Sequence, residues 1–309
     1  MSATREAVHA SIIIPTKNEE ANIGLCLGAI FAQSVDFPFE VVVIDSGSRD
    51  GTMEIVRKYP ARLLEIAPTE FHHARTRNLG GTVSSGKYLV FLSGDAFPAD
   101  KGWLSALVRN FRDPTTAAVY GRQLPKPNAT PERAFFMNHR YGTERLVKTA
   151  NSNGAGKYLL YQFSNVNSAI RREVWEQTPF PEDINAYEDF SFAVQVVRQG
   201  GTIVYEPDAA VFHSHNYGLM KAFKQYFDNG VVYGRRQIWD GKQKDRMRSD
   251  GLKYLWNEMN YLVGCGAGRR LPYVLCYEGV RYVGIILGRQ ERLLPEAFKR
   301  RASSHHLFG

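Results

Sequence analysis

The chain has 309 residues, with 39 Lys and Arg against 31 Asp and Glu and a net charge of +8 at neutral pH. Hydrophobic residues at 44% and charged residues at 23% are ordinary globular usage and exclude global disorder. Three cysteines (Cys26, Cys265 and Cys276) are too few for a disulfide framework and match no zinc spacing, which points to a reducing compartment.

Met1 to Ala10 is polar and mixed in charge, unlike a secretory signal. Ser11 to Pro15 is an apolar run closed by proline and reads as a buried strand. Asn22 is placed to cap a helix presenting Ile23, Leu27 and Ile30 on one face. Val41 to Ile44 is a second buried strand ending in Asp45-Ser46-Gly47-Ser48, and Asp50 then caps a helix over Gly51 to Tyr59. The alternation continues as strand (Arg62 to Ile66), helix (His73 to Ser84), strand (Tyr88 to Leu92), helix (Lys101 to Arg112) and strand (Ala117 to Gly121). Such alternation predicts an α/β fold with a mostly parallel sheet and helices on both faces. Ligands in such sheets sit beyond the C-terminal strand ends, where Pro15-Thr16, Asp45-Ser46 and Ser93-Gly94-Asp95 all fall.

Pro125 to Pro131 reads as a loop, Ala134 to Thr149 as a helix, and Asn151 to Lys157 as a loop rich in Gly, Asn and Ser. Gln162 to Ile170 reads as a strand, Glu188 to Arg198 as an amphipathic helix, and Thr202 to Tyr205 as a strand leading to Val211-Phe212-His213-Ser214-His215. Beyond residue 220 the pattern turns helical, aromatic and basic. Residues 1–220 carry 22 basic and 23 acidic side chains, whereas 221–309 carry 17 and 8, so the excess charge belongs to the last 89 residues. That division predicts a domain over 1–220 and a helical extension over 221–309. It also argues against a nucleic-acid binder, which needs basic residues joined to aromatic platforms in a known module.

No Gly-x-Gly-x-x-Gly follows the first strand, and neither a Walker Gly-Lys-Ser/Thr nor a Gly-x-Ser-x-Gly turn is present. Asp45 either caps its own turn or accepts the N3–H of a pyrimidine base. Asp95 either caps a turn or offers an oxygen to Mg²⁺ or Mn²⁺ bridging phosphates. His213 and His215 alternate on an extended segment, so one of them is expected to face a site, as a packed residue or as a neutral metal ligand. Glu188 and Asp189 open a helix, where they complement its dipole or take a proton from an acceptor hydroxyl. His73, Arg75 and Arg77 open another helix, as a solvated basic face or as partners of a diphosphate.

Ile12-Ile13-Ile14-Pro15-Thr16-Lys17-Asn18-Glu19, followed by Val43-Ile44-Asp45-Ser46-Gly47-Ser48-Arg49-Asp50-Gly51-Thr52, resembles the opening of glycosyltransferase family 2. Thr76-Arg77-Asn78-Leu79-Gly80, Ser93-Gly94-Asp95 and Tyr187-Glu188-Asp189 continue the match in order. The resemblance implies an inverting, metal-dependent enzyme with the GT-A fold. A narrower resemblance covers nearly the whole chain. Phe71-His72-His73, Tyr120-Gly121-Arg122-Gln123, Val211-Phe212-His213-Ser214-His215 and Leu287-Gly288-Arg289 are similar to bacterial rhamnosyltransferases of that family. It implies transfer of L-rhamnose from dTDP-β-L-rhamnose to a saccharide or lipid-linked saccharide acceptor in surface polysaccharide synthesis. By resemblance, Pro15, Thr16, Glu19, Asp45, Ser46 and Gly94 line the nucleotide pocket, with His73 and Arg77 on the leaving diphosphate. Asp95 matches the last acid of the family's Asp-x-Asp metal motif, whose first acid is replaced here by Ser93, and His213 is expected as the other protein ligand to Mg²⁺ or Mn²⁺. Asp189 matches the general base, with Glu188 beside it.

Two other readings stand beside this one: the same fold using UDP-GlcNAc, UDP-galactose or GDP-mannose, and a nucleotide-binding protein that has lost catalysis, supported by Ser93 alone. No apolar run reaches the roughly 18 residues of a membrane span, since Leu271 to Leu287 is broken by Glu278 and Arg281. The basic residues Arg235, Arg236, Lys242, Lys244, Arg246 and Arg248 precede an aromatic helical stretch, and Lys299-Arg300-Arg301 lies near the end. Such helices suit either the surface of the cytoplasmic membrane or a cap buried in a homodimer. The expected location is the cytoplasm, peripheral to that membrane.

Overall fold

The computed structural model describes residues 8–152, 160–183, 185–236, 242–305 and 307–308, and of 242–249 the backbone alone. Most of the polar leader, the loop expected at Asn151 to Lys157 from residue 153 on, and the side chains of Lys242, Lys244, Arg246 and Arg248 lie outside the described residues.

Among the described residues nine strands form one sheet: β1 (Ala10–Thr16), β2 (Phe39–Asp45), β3 (Arg62–Glu65), β4 (Tyr88–Leu92), β5 (Phe97–Pro98), β6 (Thr116–Leu124), β7 (Leu146–Lys148), β8 (Asn167–Arg171) and β9 (Thr202–Phe212). Their order is β3-β2-β1-β4-β8-β6-β9-β5, and β7 also pairs with β9. The N-terminal half, β3-β2-β1-β4, is parallel as expected. Beyond it β8 runs antiparallel to both β4 and β6, β6 and β9 are parallel, and β5 and β7 run against β9, so the sheet as a whole is mixed.

The continuous apolar runs of β1, β2 and β4 are split by the two-residue period of the pleat between two cores. Ile12, Ile14, Val41, Val43, Val90 and Leu92 face α1 (Ile23–Phe31), α2 (Thr52–Val56) and α4 (Trp103–Val108). Ile13, Val42, Ile44, Leu89 and Phe91 face α3 (His73–Val83), α6 (Arg172–Gln177) and α7 (Glu188–Arg198) on the other side. Gly80 lets α3 lie on the sheet, because a Cβ there would come within 2.3 Å of Ile13 Cγ2.

Local sequence rules failed where tertiary contacts decided the backbone. The expected helix over Ala134 to Thr149 is α5 (Pro131–Arg140), and Leu146–Lys148 is strand β7, held by pairing to β9 and by Lys148 Nζ bonding Tyr120 Oη and Gln162 O. The strand expected from Gln162 begins only at Asn167, and the strand expected over Thr202 to Tyr205 continues to Phe212. Lys101 to Arg112 divides into α4 and a 3₁₀ turn over Arg109–Arg112. Asn22 sits at the N-cap of α1 without capping it, and its amide donates to Glu19 at 2.8 Å instead. Asp50 does accept from Thr52 N at 3.1 Å, ahead of a helix shorter than expected.

After β9 come α8 (Leu219–Arg235), α9 (Lys242–Gly264), α10 (Leu271–Arg289) and α11 (Glu296–Ala302). Helices α8 and α10 meet backbone to backbone: a Cβ at Gly288 would lie 2.0 Å from Phe227 O, and one at Gly230 would lie 2.3 Å from Ile285 O. Among the described residues no helix is long and apolar enough to cross a membrane.

Candidate active site

Strand ends assemble the first part of the site. Thr16 and Asp45 are register partners at the tips of β1 and β2, and Thr16 O accepts from Ser46 N at 3.1 Å. The Asp45 carboxylate is held within its own loop by Gly47 N at 2.9 Å, Ser48 N at 2.8 Å and Ser48 Oγ at 2.5 Å. Gly94 abuts Thr16, whose buried hydroxyl has no hydrogen-bond partner, and a Cβ at Gly94 would come within 2.9 Å of that oxygen. Burial raises the Glu19 carboxyl above its ordinary range, with the nearby charge of Asp95 adding to the effect against the bond from Asn22. Pro15, Thr16, Glu19, Asp45, Ser46 and Gly94 thus cluster at neighbouring strand ends and lead into Asp95.

Asp95 begins the second part. Its Oδ2 is buried without a hydrogen-bond partner, 3.5 Å from His213 Nε2, 3.2 Å from His215 Nε2 and 3.6 Å from Lys126 Nζ. One ligand atom from each of Asp95, His213 and His215 lies within 4.8 Å of the others. The expectation that one histidine alone would face the site is corrected here. The strand ends at Phe212, so 213–215 no longer alternate as a pleat, and the two rings meet edge to face at 4.8 Å. Burial holds His213 down to about 3, against the pull of Asp95, and lowers His215 in the same way, so both imidazoles are neutral at physiological pH. A buried, unpartnered carboxylate oxygen beside two neutral imidazole nitrogens is a donor set that fits a divalent cation.

The third part is the acid pair at the start of α7. Tyr187, the residue before it, takes a left-handed backbone conformation (φ 60°), which is costly for a bulky side chain and is maintained by its surroundings. Its hydroxyl donates to Gln225 O at 3.1 Å. Glu188 is buried in an ion pair with Arg77 at 3.1 Å and accepts from Asn165 Nδ2 at 3.1 Å. Burial opposes its charge, but Arg77 and the bond from Asn165 hold the carboxyl below its usual range. Asp189 is pushed the other way, up to about 7, by burial and by the charge of Glu188, against backbone N–H bonds from Phe190 at 2.7 Å and Asn165 at 3.2 Å. Two adjacent carboxyls with separated proton affinities are the arrangement expected where one stays ionised for structure and the other exchanges a proton.

Arg77, expected on a diphosphate, is therefore committed to Glu188 in this structure, while His73, kept neutral by burial, lies on the same wall. A cavity of about 1270 Å³ joins the second and third parts, lined by His73, Arg77, Asp95, Glu188, Asp189 and His213 among others, whereas Pro15, Thr16, Glu19, Asp45, Ser46 and Gly94 do not line it.

A family model described as "Glycosyl transferase family 2" matches residues 11–178. Over 288 residues the chain is 32% identical to the O-antigen chain rhamnosyltransferase WbaN of Salmonella anatum, covering 92% of this chain and 90% of that one. It is also 32% identical, over 289 residues, to RfbN, an O-antigen chain rhamnosyltransferase of Salmonella typhimurium, covering 92% and 91%. The chain belongs to glycosyltransferase family 2. Among solved structures it resembles the mannosyltransferase PcManGT from Pyrobaculum calidifontis, in complex with GDP-Man and Mn²⁺ (TM-score 0.61, 22% identity, 94% and 89% covered). It also resembles Staphylococcus aureus TarS 1–349 (TM-score 0.55, 16% identity, 93% and 91% covered). Both likenesses support the GT-A fold.

The candidate site brings in residues that the motifs alone did not assign. Gln123 orients His213 at 2.9 Å, Asn165 contacts both acids, and Lys126 approaches Asp95. His305 reaches the cavity from the other end of the chain, with its ring 5.7 Å from that of His73. The only advance signal was for Gln123 and His215, which stand inside quoted motifs; the others depend on long-range packing.

Proposed function

We propose that this glycosyltransferase is an inverting enzyme that moves L-rhamnose from dTDP-β-L-rhamnose to a saccharide acceptor in surface polysaccharide synthesis. The observation that carries the catalytic reading is the opening of Asp189 and the Asp95–His213–His215 cluster into one cavity. The rhamnose assignment is supported by 32% identity to two O-antigen rhamnosyltransferases along nearly the whole chain.

Asp189 is the general base of the proposed mechanism. Its raised proton affinity suits it to accept the proton of an acceptor hydroxyl as that oxygen bonds to the anomeric carbon and the bond to the diphosphate oxygen breaks. Glu188 stays ionised against Arg77 and fixes the first turn of α7, so it positions its neighbour. Pro15, Thr16, Glu19, Asp45, Ser46 and Gly94 are assigned to the nucleotide, with His73 beside the diphosphate. Asp95, His213 and His215 would hold the divalent cation, and two imidazoles with one carboxylate favour Mn²⁺ over the oxygen-seeking Mg²⁺. When bound, such a cation supplies positive charge for the departing diphosphate.

The exposed apolar side chains Leu252, Trp256 and Val263 on α9, and Leu275, Tyr282 and Val283 on α10, support attachment to the cytoplasmic face of a membrane, where a lipid-linked acceptor would be found. Charge supports it less, because Arg235 and Arg236 are ion-paired with Glu291 and Asp183. Flotation with anionic vesicles tests this attachment.

The function is tested by presenting purified protein with dTDP-rhamnose, UDP-GlcNAc, UDP-galactose and GDP-mannose and reading nucleotide release. Release at least tenfold faster from dTDP-rhamnose is expected; faster release from another donor overturns the sugar assignment.

A further inference from the structure

A second cavity, of about 160 Å³, lies between α5, the segment after His215, and helices α9 and α10. It shares His215, Tyr217 and Arg281 with the large cavity, so the two lie side by side along a common wall. Glu258, Arg270 and Tyr273 belong to the second cavity and not to the wall of the first.

Four buried polar atoms on this wall have no hydrogen-bond partner: Arg133 Nε, Tyr254 Oη, Glu258 Oε2 and Arg281 Nε. Glu258 is 1% exposed, and in place of water its carboxyl has only the neighbouring Tyr254 side chain. Burial and the neighbouring Glu278 raise the Glu258 carboxyl to about 8, which makes it a neutral group able both to donate and to accept. Several unsatisfied polar groups lining one hollow are what a polar ligand leaves behind when its own groups are absent.

The composition of the wall narrows the ligand. Arg270 is bonded to Glu132 through Nε and one terminal nitrogen, and Arg281 is paired with Glu278. With Glu258 neutral, the third arginine, Arg133, lies over the rings of Phe136 and Tyr217, so an anion meets one net positive charge and no open arginine cluster. Five tyrosines supply flat faces with hydroxyl rims, and the Arg281 guanidinium is sandwiched among aromatic rings, 4.3 Å from Tyr226 and 4.9 Å from Phe136. Aromatic faces beside paired donors and acceptors suit a neutral ring carrying hydroxyl groups. The volume, on the order of ten times what one water needs, is of the size of a single pyranose.

We propose that this cavity is a subsite for one neutral pyranose unit of the acceptor, bound through Glu258, Tyr254 and Arg281 and stacked on tyrosine. The proposal rests on the glycosyltransferase reading but not on the identity of the donor. Its position next to His215 places a bound sugar at the edge of the catalytic cavity.

Two variants test it. Glu258→Met removes the carboxyl at similar volume and relieves a buried acid, and Tyr273→Ala removes a ring that is already 37% exposed. Saturation-transfer NMR with methyl glycosides of rhamnose, mannose, galactose and N-acetylglucosamine reads the subsite, with inorganic phosphate as an anionic probe and calorimetric dTDP affinity as a control. At least one glycoside is expected to give a signal that falls at least fivefold in both variants, while dTDP affinity stays within twofold. An undiminished signal, no glycoside signal from protein that binds dTDP, or displacement of glycoside by millimolar phosphate overturns the subsite. Glycoside binding with these losses, in protein that transfers no rhamnose from dTDP-rhamnose, upholds the subsite and overturns the donor assignment.

Discussion

Gln123 Oε1 lies 2.9 Å from Nδ1 of His213 and decides which nitrogen of that ring faces Asp95. The amide nitrogen bonds Tyr141 Oη at 2.8 Å and Ser164 Oγ at 3.1 Å, so the whole group is held between three side chains. With the amide oriented this way its oxygen accepts from Nδ1–H of His213, which leaves the Nε2 lone pair for the cluster. A partner of this kind raises ligand basicity and typically accounts for about 10- to 100-fold in metal affinity.

Gln123→Leu is accordingly expected to weaken Mn²⁺ binding about 10- to 100-fold, measured calorimetrically in the presence of dTDP. Equal affinity in the variant and the parent would remove Gln123 from this role, and equal weakening of dTDP without Mn²⁺ would point to a general collapse of the site.

Arg77 and Glu188 are both buried, with about 3.1 Å between guanidinium and carboxylate. Breaking such a pair from one side leaves an uncompensated buried charge, which destabilises by roughly 3–5 kcal/mol. Arg77→Met is expected to lower stability by that amount in urea unfolding, and adding Glu188→Gln is expected to recover part of it. No recovery in the double variant would show that Arg77 acts through packing and not through this charge.

The parallel half of the sheet and the strand-end positions of Thr16, Asp45 and Asp95 were legible because apolar runs closed by Pro, Asp or Gly are local signals. Strand β7 was not, since Leu146–Lys148 becomes a strand only by pairing with β9, and Lys148 is held by Tyr120 and Gln162 from elsewhere in the chain. The two-histidine cluster failed for a related reason: alternation holds within a strand, and β9 ends one residue before His213. Arg77 was expected on a diphosphate from its helix position, and its partner in the structure, Glu188, 111 residues away, could not be read from spacing.

Asp228 has no exposure and its Oδ2 accepts the backbone N–H groups of Ser304 (2.8 Å) and His305 (3.0 Å), tying the end of the chain to α8. This bond sets His305 against His73 and Tyr187 in the large cavity. Asp228→Ala is expected to speed amide exchange at Ser304 and His305 at least tenfold and to hasten tryptic cleavage after Arg300 and Arg301. Unchanged exchange would mean that the packing of Leu307 and Phe308 holds the tail without the carboxylate.

On the proposed mechanism, Asp189 couples activity to stability through one proton. Its carboxyl sits near 7 in the folded chain against roughly 3.9 when unfolded, so the native state binds the proton more tightly between those values. Stability is therefore lost as pH rises through that window, and the whole cost is present above about pH 7, which is also where the ionised base is available. Asp189→Asn keeps the size of the side chain and an oxygen for the Phe190 N–H, but removes the buried charge. The variant is expected to lose transfer by about 10²- to 10⁴-fold while binding dTDP-rhamnose as before. Its melting temperature should exceed that of the parent at pH 8, with the gap closing as pH falls toward 4. The acidic limb of kcat/KM near pH 7 in the parent should be absent from the residual activity of the variant. Retained transfer would refute the base assignment, and a melting gap independent of pH would show that the Asp189 carboxyl does not titrate in that range.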